Sequence, residues 1–165
     1  LMTNSHFYKG KPKLTSNSKY TQGIYKPINP LKYIGDLNNI VFRSSLELKW
    51  YKYFDLNPSV IEWKCEETIV QYLNPIDNKV HRYFIDVYVK FQNKKKEIKE
   101  AIIEIKPLSQ VKKPIKGKQK MKTFAHQVNT YIVNEAKWNA AQKAAAQKGM
   151  QFLILTETGF VEWES

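Results

Sequence analysis

VHRYFIDVYVKF (Val80–Phe91), followed after a Lys-rich turn by KEAIIEIK (Lys99–Lys106), reads as two successive β-strands. The first is rich in β-branched and aromatic residues and the second in isoleucine, and successive side chains of a strand point to opposite faces. In the first strand Asp86 shares a face with Phe84 and Tyr88, with Ile85, Val87 and Val89 opposite. In the second, Ile102, Glu104 and Lys106 share one face, and Ala101, Ile103 and Ile105 the other. Each strand therefore carries a carboxylate inside an apolar run. A charge buried in a strand is costly unless it is paired or binds a metal. If the two strands are neighbours, Asp86 and Glu104 converge and Lys106 stands beside them.

Working outward, RSSLELKWYKYF (Arg43–Phe54) places Leu46, Trp50, Tyr53 and Phe54 at helical spacing, with Ser44 as N-cap and Asn57-Pro58 as the stop. Two short strands are expected next, over Val60–Trp63 and Thr68–Leu73, and Asn74–Lys79 (NPIDNK) has turn chemistry. With the two opening strands this makes an antiparallel meander. Leu108 to Gly117 is Lys/Pro-rich and loop-like. Met121–Val133 reads as one helix, and Asn134 as the cap of a second, EAKWNAAQKAAAQK, which Gly149 ends. MQFLILTE (Met150–Glu157) is a strand that, following a helical crossover, is expected to pair in parallel. The expectation is an α/β fold with a mixed sheet flanked by helices. Residues 1–22, polar and rich in Lys, Ser and Asn, read as an extended basic arm ahead of a single domain over residues 23–165.

The 165 residues carry 27 Lys and Arg against 15 Asp and Glu, a net charge of +12. That excess points to a polyanionic partner, although any one cluster, such as Lys94–Lys96, is explained as a solvated loop. No apolar run approaches the roughly 20 residues that span a bilayer, and the basic segment Val111–Lys122 has no apolar face, which disfavours a membrane. The N-terminus does not read as a signal peptide. Cys65 is the only cysteine, which excludes an internal disulfide and a multi-Cys zinc site.

Glu-x-Lys alone is weak: on most strands it is an exposed charge pair. An acidic residue one strand earlier strengthens it, and Glu47 on the preceding helix adds a third carboxylate. Glu47 has a second reading, because Ser44-x-x-Glu47 is a capping box. Carboxylates converging beside a lysine suit a hard cation such as Mg²⁺, which polarises a phosphate and lowers the pKa of a bound water. The lysine can orient that water or offset charge in the transition state.

The order Glu47, Asp86, Glu104-x-Lys106 resembles the PD-(D/E)xK nuclease superfamily. More narrowly, the chain is similar to the head completion nucleases of large contractile-tailed bacteriophages, and more distantly to the end-cutting endonuclease subunits of heteromeric transposases. The resemblance runs from about Gly23 to Thr158 through KYIGD (Lys32–Asp36), FRSSLE (Phe42–Glu47), NPSVIEW (Asn57–Trp63), HRYFIDVYV (His81–Val89), IEIKP (Ile103–Pro107), VNEAKWNAAQ (Val133–Gln142) and FLILTE (Phe152–Glu157). It implies a restriction-endonuclease-like core and Mg²⁺-dependent hydrolysis of DNA, with Mn²⁺ able to substitute. Asp86, Glu104 and the Ile105 carbonyl would hold the metal, with Glu47 a further candidate. Lys106 would be the catalytic lysine. Ile85 stands where the superfamily's name has Pro, a change that leaves the Asp oxygens in place. The resemblance also implies double-stranded DNA as substrate, action on packaged DNA before tail attachment, and portal or neck proteins as neighbours. The setting would be the host cytoplasm during assembly or the virion, the protein acting as monomer or dimer.

Further candidates are weighed against plainer readings. Arg43, Arg82, Lys112, Lys113, Lys116 and Lys118 are expected DNA contacts or else surface cations. His81 could move a proton near the site or be a strand-edge histidine. Glu66, at the start of a strand, could support the site or hold a second metal. Trp138 reads as core. Two other functions compete: a structural DNA-binding head or neck protein needing no catalysis, and a junction or transposon-end nuclease on the same fold.

Overall fold

The computed structural model describes residues 21–163; of the arm expected over residues 1–22, residues 1–20 lie outside the described residues. Helix α1 spans Ser45–Leu56 and opens as its sequence requires, with the Ser44 hydroxyl accepting the Glu47 N–H at 3.0 Å. Its buried face is Trp50, Tyr51 and Phe54. Ahead of it, β1 (Gly23–Ile24) pairs antiparallel with β2 (Val41–Phe42), and a 3-10 turn covers Pro30–Lys32. The sequence reading has no counterpart for these pieces, which are too short to carry a periodicity. Buried Asp55 ties them to α1: its carboxylate accepts from the Tyr25 hydroxyl at 2.7 Å and from the Ile28 and Asn29 amides at 2.7 and 2.9 Å.

The main sheet contains β3 (Val60–Asn74), β4 (Lys79–Gln92), β5 (Ile98–Ile105), β6 (Gln151–Thr156) and β7 (Gly159–Glu162), in that spatial order. Neighbours are antiparallel except β5 and β6, which are parallel as expected for a helical crossover. The crossover holds α2 (Leu108–Val111), inside the segment expected as loop, and α3 (Met121–Gln147). The two helices expected on either side of Asn134 are one. No Gly or Pro interrupts residues 121–147, and an interior Asn costs a fraction of a kcal/mol. Asn134 is thus a buried mid-helix residue and not a cap. Gly149 ends the helix at φ +68, with its amide bonded to Ala146 and the Met150 amide to Ala145, the left-handed closure that glycine favours. No helix of the described residues is long and apolar enough to cross a membrane.

The sheet is sandwiched between α1 and α3. Tyr51, Phe54, Trp63, Val87, Ile103 and Leu155 form the core on the α1 side. Ile85, Ile102, Trp138, Phe152 and Ile154 form the core on the α3 side. Trp138 is fully buried, as expected. Two corrections to the strand reading share one cause. The expected strands Val60–Trp63 and Thr68–Leu73 are a single strand, so Glu66 lies within β3 and does not start a strand. Ile85 does not share a face with Val87 and Val89, but packs in the opposite core. Between the pairs Cys65↔Val87 and Thr68↔Ile85, β3 has two residues where β4 has one. This bulge bends and twists the hairpin, so β4 turns over at Asp86.

Burial alone would raise the Asp55 pKa, but the hydrogen bonds from Tyr25, Ile28 and Asn29 lower it below the ordinary carboxylate value. Because the folded value lies below the unfolded one of about 3.9, this stabilisation is complete above that pH and is lost as pH falls through the folded value. Asp55→Asn is expected to cost about 2 kcal/mol at neutral pH in denaturant unfolding. The loss should shrink below about pH 4, where wild type forfeits the same contribution.

Candidate active site

Asp86 sits where two irregularities of the sheet meet. On one side Glu66 and Glu67 of the β3 bulge oppose it, with Glu66 at φ +54. On the other, the β4–β5 ladder stops at Val87↔Ile103. Past that point the Ile105 N–H donates to Asp86 Oδ2 at 2.7 Å, so a side-chain carboxylate takes an amide of β5 where the ladder has ended. Asp86 Oδ1 has no protein partner among the described residues.

Glu104 lies on the inner strand β5, opposite Ile154 of β6, and is buried. Tyr83 donates to its Oε2 at 2.6 Å, and Lys106 Nζ lies 3.0 Å from its Oε1. The Lys106 amide bonds to the Leu155 carbonyl at 2.9 Å, carrying the contact with β6 one residue past the end of β5. Sequence reasoning missed Tyr83; a tyrosine three residues before an acidic one in a strand carries no distinguishing signal.

The electrostatics bind the group together. Burial first, then the charges of Glu104 and Glu47, push the Asp86 carboxyl well above its ordinary range, against the Ile105 amide and Lys106. Asp86 keeps some solvent exposure even so. Burial also raises the Tyr83 hydroxyl, reinforced by Glu104 and Asp86. Burial alone would lower the Lys106 ammonium, but Glu104, Asp86 and Glu47 outweigh it, and the pKa is raised. Glu47 is raised by burial, against its contacts with Arg43. The structure therefore brings Glu47, Asp86, Glu104 and Lys106 into one electrostatic cluster.

The capping box expected at Glu47 forms with its return bond shifted by one residue. Its amide is capped by Ser44, but its carboxylate reaches one residue past the N-cap, accepting the Arg43 N–H at 2.7 Å. The same carboxylate exerts its field on Asp86 and Lys106.

The other candidates are distributed unevenly. The Arg43 guanidinium is engaged by Glu66 through both terminal nitrogens, so this cation is already paired beside Glu47. Arg82 is exposed, its guanidinium 5.7 Å from the centre of the Phe84 ring. His81 bonds Asp77 of the β3–β4 turn at 2.8 Å and is not drawn into the cluster. Lys112, Lys113, Lys116 and Lys118 are exposed on the segment between α2 and α3. Lys112 lines a groove of about 480 Å³ with Gln110, His126, Tyr131 and Asn134. Lys137 of α3 was not anticipated. It is half-buried, and Glu104, Lys106 and Asp86 all act on its charge. Its sequence signal is slight: it borders the buried stripe of Asn134, Trp138, Ala141 and Ala145.

Among the described residues no three His, Cys, Asp or Glu side chains gather into a metal cage. Asp86, Glu104 and the Ile105 carbonyl are a sparser set of oxygens. Mg²⁺ is commonly held by one or two carboxylates with waters completing its shell. Two carboxylates close enough to raise the pKa of one of them are donors that such a cation suits.

Residues 57–157 match the family model described as TnsA-like endonuclease N terminal. The chain belongs to this endonuclease family. It is also 36% identical over 141 residues to the head completion nuclease of Enterobacteria phage T4, covering 83% of this chain and 91% of that protein. Asp86, Glu104 and Lys106 lie within the family match; Glu47 lies ahead of it.

Replacing Asp86 with Asn removes one of two crowded charges while leaving an oxygen to accept the Ile105 N–H. Asp86→Asn is expected to raise the stability of chelator-treated protein at neutral pH by about 1 kcal/mol, read from thermal unfolding. A drop in melting temperature would count against like-charge crowding at this site.

Proposed function

We propose that this chain is a divalent-metal-dependent endonuclease that hydrolyses phosphodiester bonds of double-stranded DNA in phage head completion. The observation that carries the reading is the junction of Asp86 and Glu104 from adjacent strands, with Lys106 Nζ 3.0 Å from Glu104. The family membership, the similarity to the phage T4 head completion nuclease and the net charge of +12 support it. A purely structural DNA-binding role would not call for like-charged carboxylates gathered at a break in the sheet.

The metal would be Mg²⁺, with Mn²⁺ substituting, held by Asp86, Glu104 and the Ile105 carbonyl. When bound it would polarise the phosphate and acidify a water. The protein's own groups do the rest. Ile105 N–H fixes the Asp86 carboxylate, and Tyr83 fixes Glu104, so both are oriented before substrate arrives. Lys106, kept protonated by its carboxylate neighbours, steadies the attacking water and offsets the charge that develops on the phosphate oxygens. Glu47, whose charge acts on Asp86 and Lys106, would accept a hydrogen bond from that water. The expected setting is the infected cell, with packaged DNA as substrate and portal or neck proteins as neighbours.

Purified protein with Mg²⁺ should nick or linearise plasmid DNA, and EDTA should stop it. Lys106→Ala and Asp86→Ala should each lower cleavage by 100-fold or more, on the order of the contribution of a positioned catalytic group, without loss of the folded state by circular dichroism. Wild type inert with both Mg²⁺ and Mn²⁺ on supercoiled and linear DNA would overturn the reading.

Glu47→Gln separates capping from chemistry, because Gln still offers an oxygen to the Arg43 N–H. Stability should change by no more than about 0.5 kcal/mol, while cleavage falls about tenfold or more. Normal cleavage by this variant would leave Glu47 as a cap alone.

A further inference from the structure

Among the described residues Lys137 makes no ion pair, yet it is held in place. Its Nζ lies 5.7 Å from the centre of the Tyr72 ring and 5.5 Å from that of Tyr83. Two ring faces at that range attract an ammonium and limit where it can swing. Among the described residues no carboxylate lies within ion-pair distance of it. Tyr83 is also the residue that donates to Glu104, so one side chain braces both the acidic cluster and this ammonium. Burial and the Lys106 ammonium lower the Lys137 pKa, against the attraction of Glu104 and Asp86. A lysine serving only as apolar cover extends its ammonium into water; this one is half-buried over two aromatic faces.

The surroundings say what would complete it. One turn earlier on α3, Asn134 lines the polar groove that also holds Lys112 and Gln110. That groove begins three residues after Lys106, at Ser109. A strand of nucleic acid lying along it and reaching Lys106 would run past α3, on which Asn134 and Lys137 are about one turn apart.

We propose that Lys137 is a phosphate-binding residue, contacting the backbone of the DNA strand next to the bond that the Asp86–Glu104–Lys106 cluster cleaves. This rests on the endonuclease reading of that cluster. The ammonium, set on its aromatic seat, holds a phosphate oxygen and so fixes the register of the strand over the carboxylates. The contact exists before chemistry, so it belongs to binding more than to turnover.

The test is the affinity of wild type, Lys137→Met and Lys137→Arg for a short DNA duplex, measured by fluorescence anisotropy in EDTA over a range of salt concentrations. Metal and cleavage are then absent from the readout. Met keeps the apolar cover over Tyr72 and Tyr83 and removes the charge. It should weaken binding about tenfold at low salt and lower the slope of log affinity against log salt by about 1, the loss of one phosphate contact. Arg should restore most of both. In Mg²⁺ the Met variant should raise KM more than it lowers kcat. Lys137→Gln provides the same comparison if Met perturbs the fold, judged by melting temperature. A folded Met or Gln variant that binds with wild-type affinity and slope overturns the proposal, as does an Arg variant no better than Met. Wild type that cuts while Lys137→Met binds normally sinks this inference alone; wild type that neither binds nor cuts sinks the endonuclease reading with it.

Discussion

The hydrogen bond from the Ile105 amide to Asp86 Oδ2, 2.7 Å long, holds the site together. The β4–β5 ladder ends at Val87↔Ile103, and beyond that point a buried backbone N–H of β5 would be left without a strand partner. An unpaired amide of this kind costs a few kcal/mol. Asp86 supplies the acceptor, so one carboxylate both satisfies the backbone and faces the other acidic groups. The bulge at Glu66 and Glu67 belongs to the same construction. It is the extra residue in β3 that lets β4 turn at Asp86 instead of running on beside β5.

The consequence is a cluster whose charges are poorly balanced by the protein itself. Glu104 and Glu47 both raise Asp86, and Lys106 is the near cation that opposes them. Tyr83 and Lys106 occupy the two oxygens of Glu104, which limits the cost of burying it. Asp86 Oδ1 has no such protein partner among the described residues. A fold selected for stability alone would replace such a cluster with apolar residues; keeping it is expected where the unbalanced charge has a use.

The sequence was most informative where a periodicity is short and local. Period-2 alternation put Glu104 and Lys106 on one face of β5, and the structure agrees, with their charged ends 3.0 Å apart. Cap chemistry placed the start of α1 at Ser44 to the residue. Alternation failed at Ile85, because it presumes a strand that does not turn over, and the turn is made by residues of a different strand. The doubled Glu66-Glu67 is the visible trace of the bulge, but in the sequence alone it marks Glu66 as the start of a new strand. The cap preference of Asn134 points to a helix start, but twenty-seven unbroken helical residues outweigh one such preference. Tyr83 and Lys137 were not legible, since their importance comes from β4, β5 and α3 packing together and not from any spacing along one of them.

A β-sheet ordinarily keeps its two faces apart, each packed on its own layer. Here Glu47 comes from α1, on one face, while Tyr83 belongs to the core beneath α3 on the other. Both act on Asp86 all the same: Glu47 through its charge, and Tyr83 through Glu104. They can do so because the ladder is open at that residue and β4 passes from one core to the other there. The break in the sheet is therefore the place where groups from both helical layers act on one carboxylate. Closing it with a regular β4–β5 ladder would leave each face its own core and would separate Glu47 from the carboxylates it acts on.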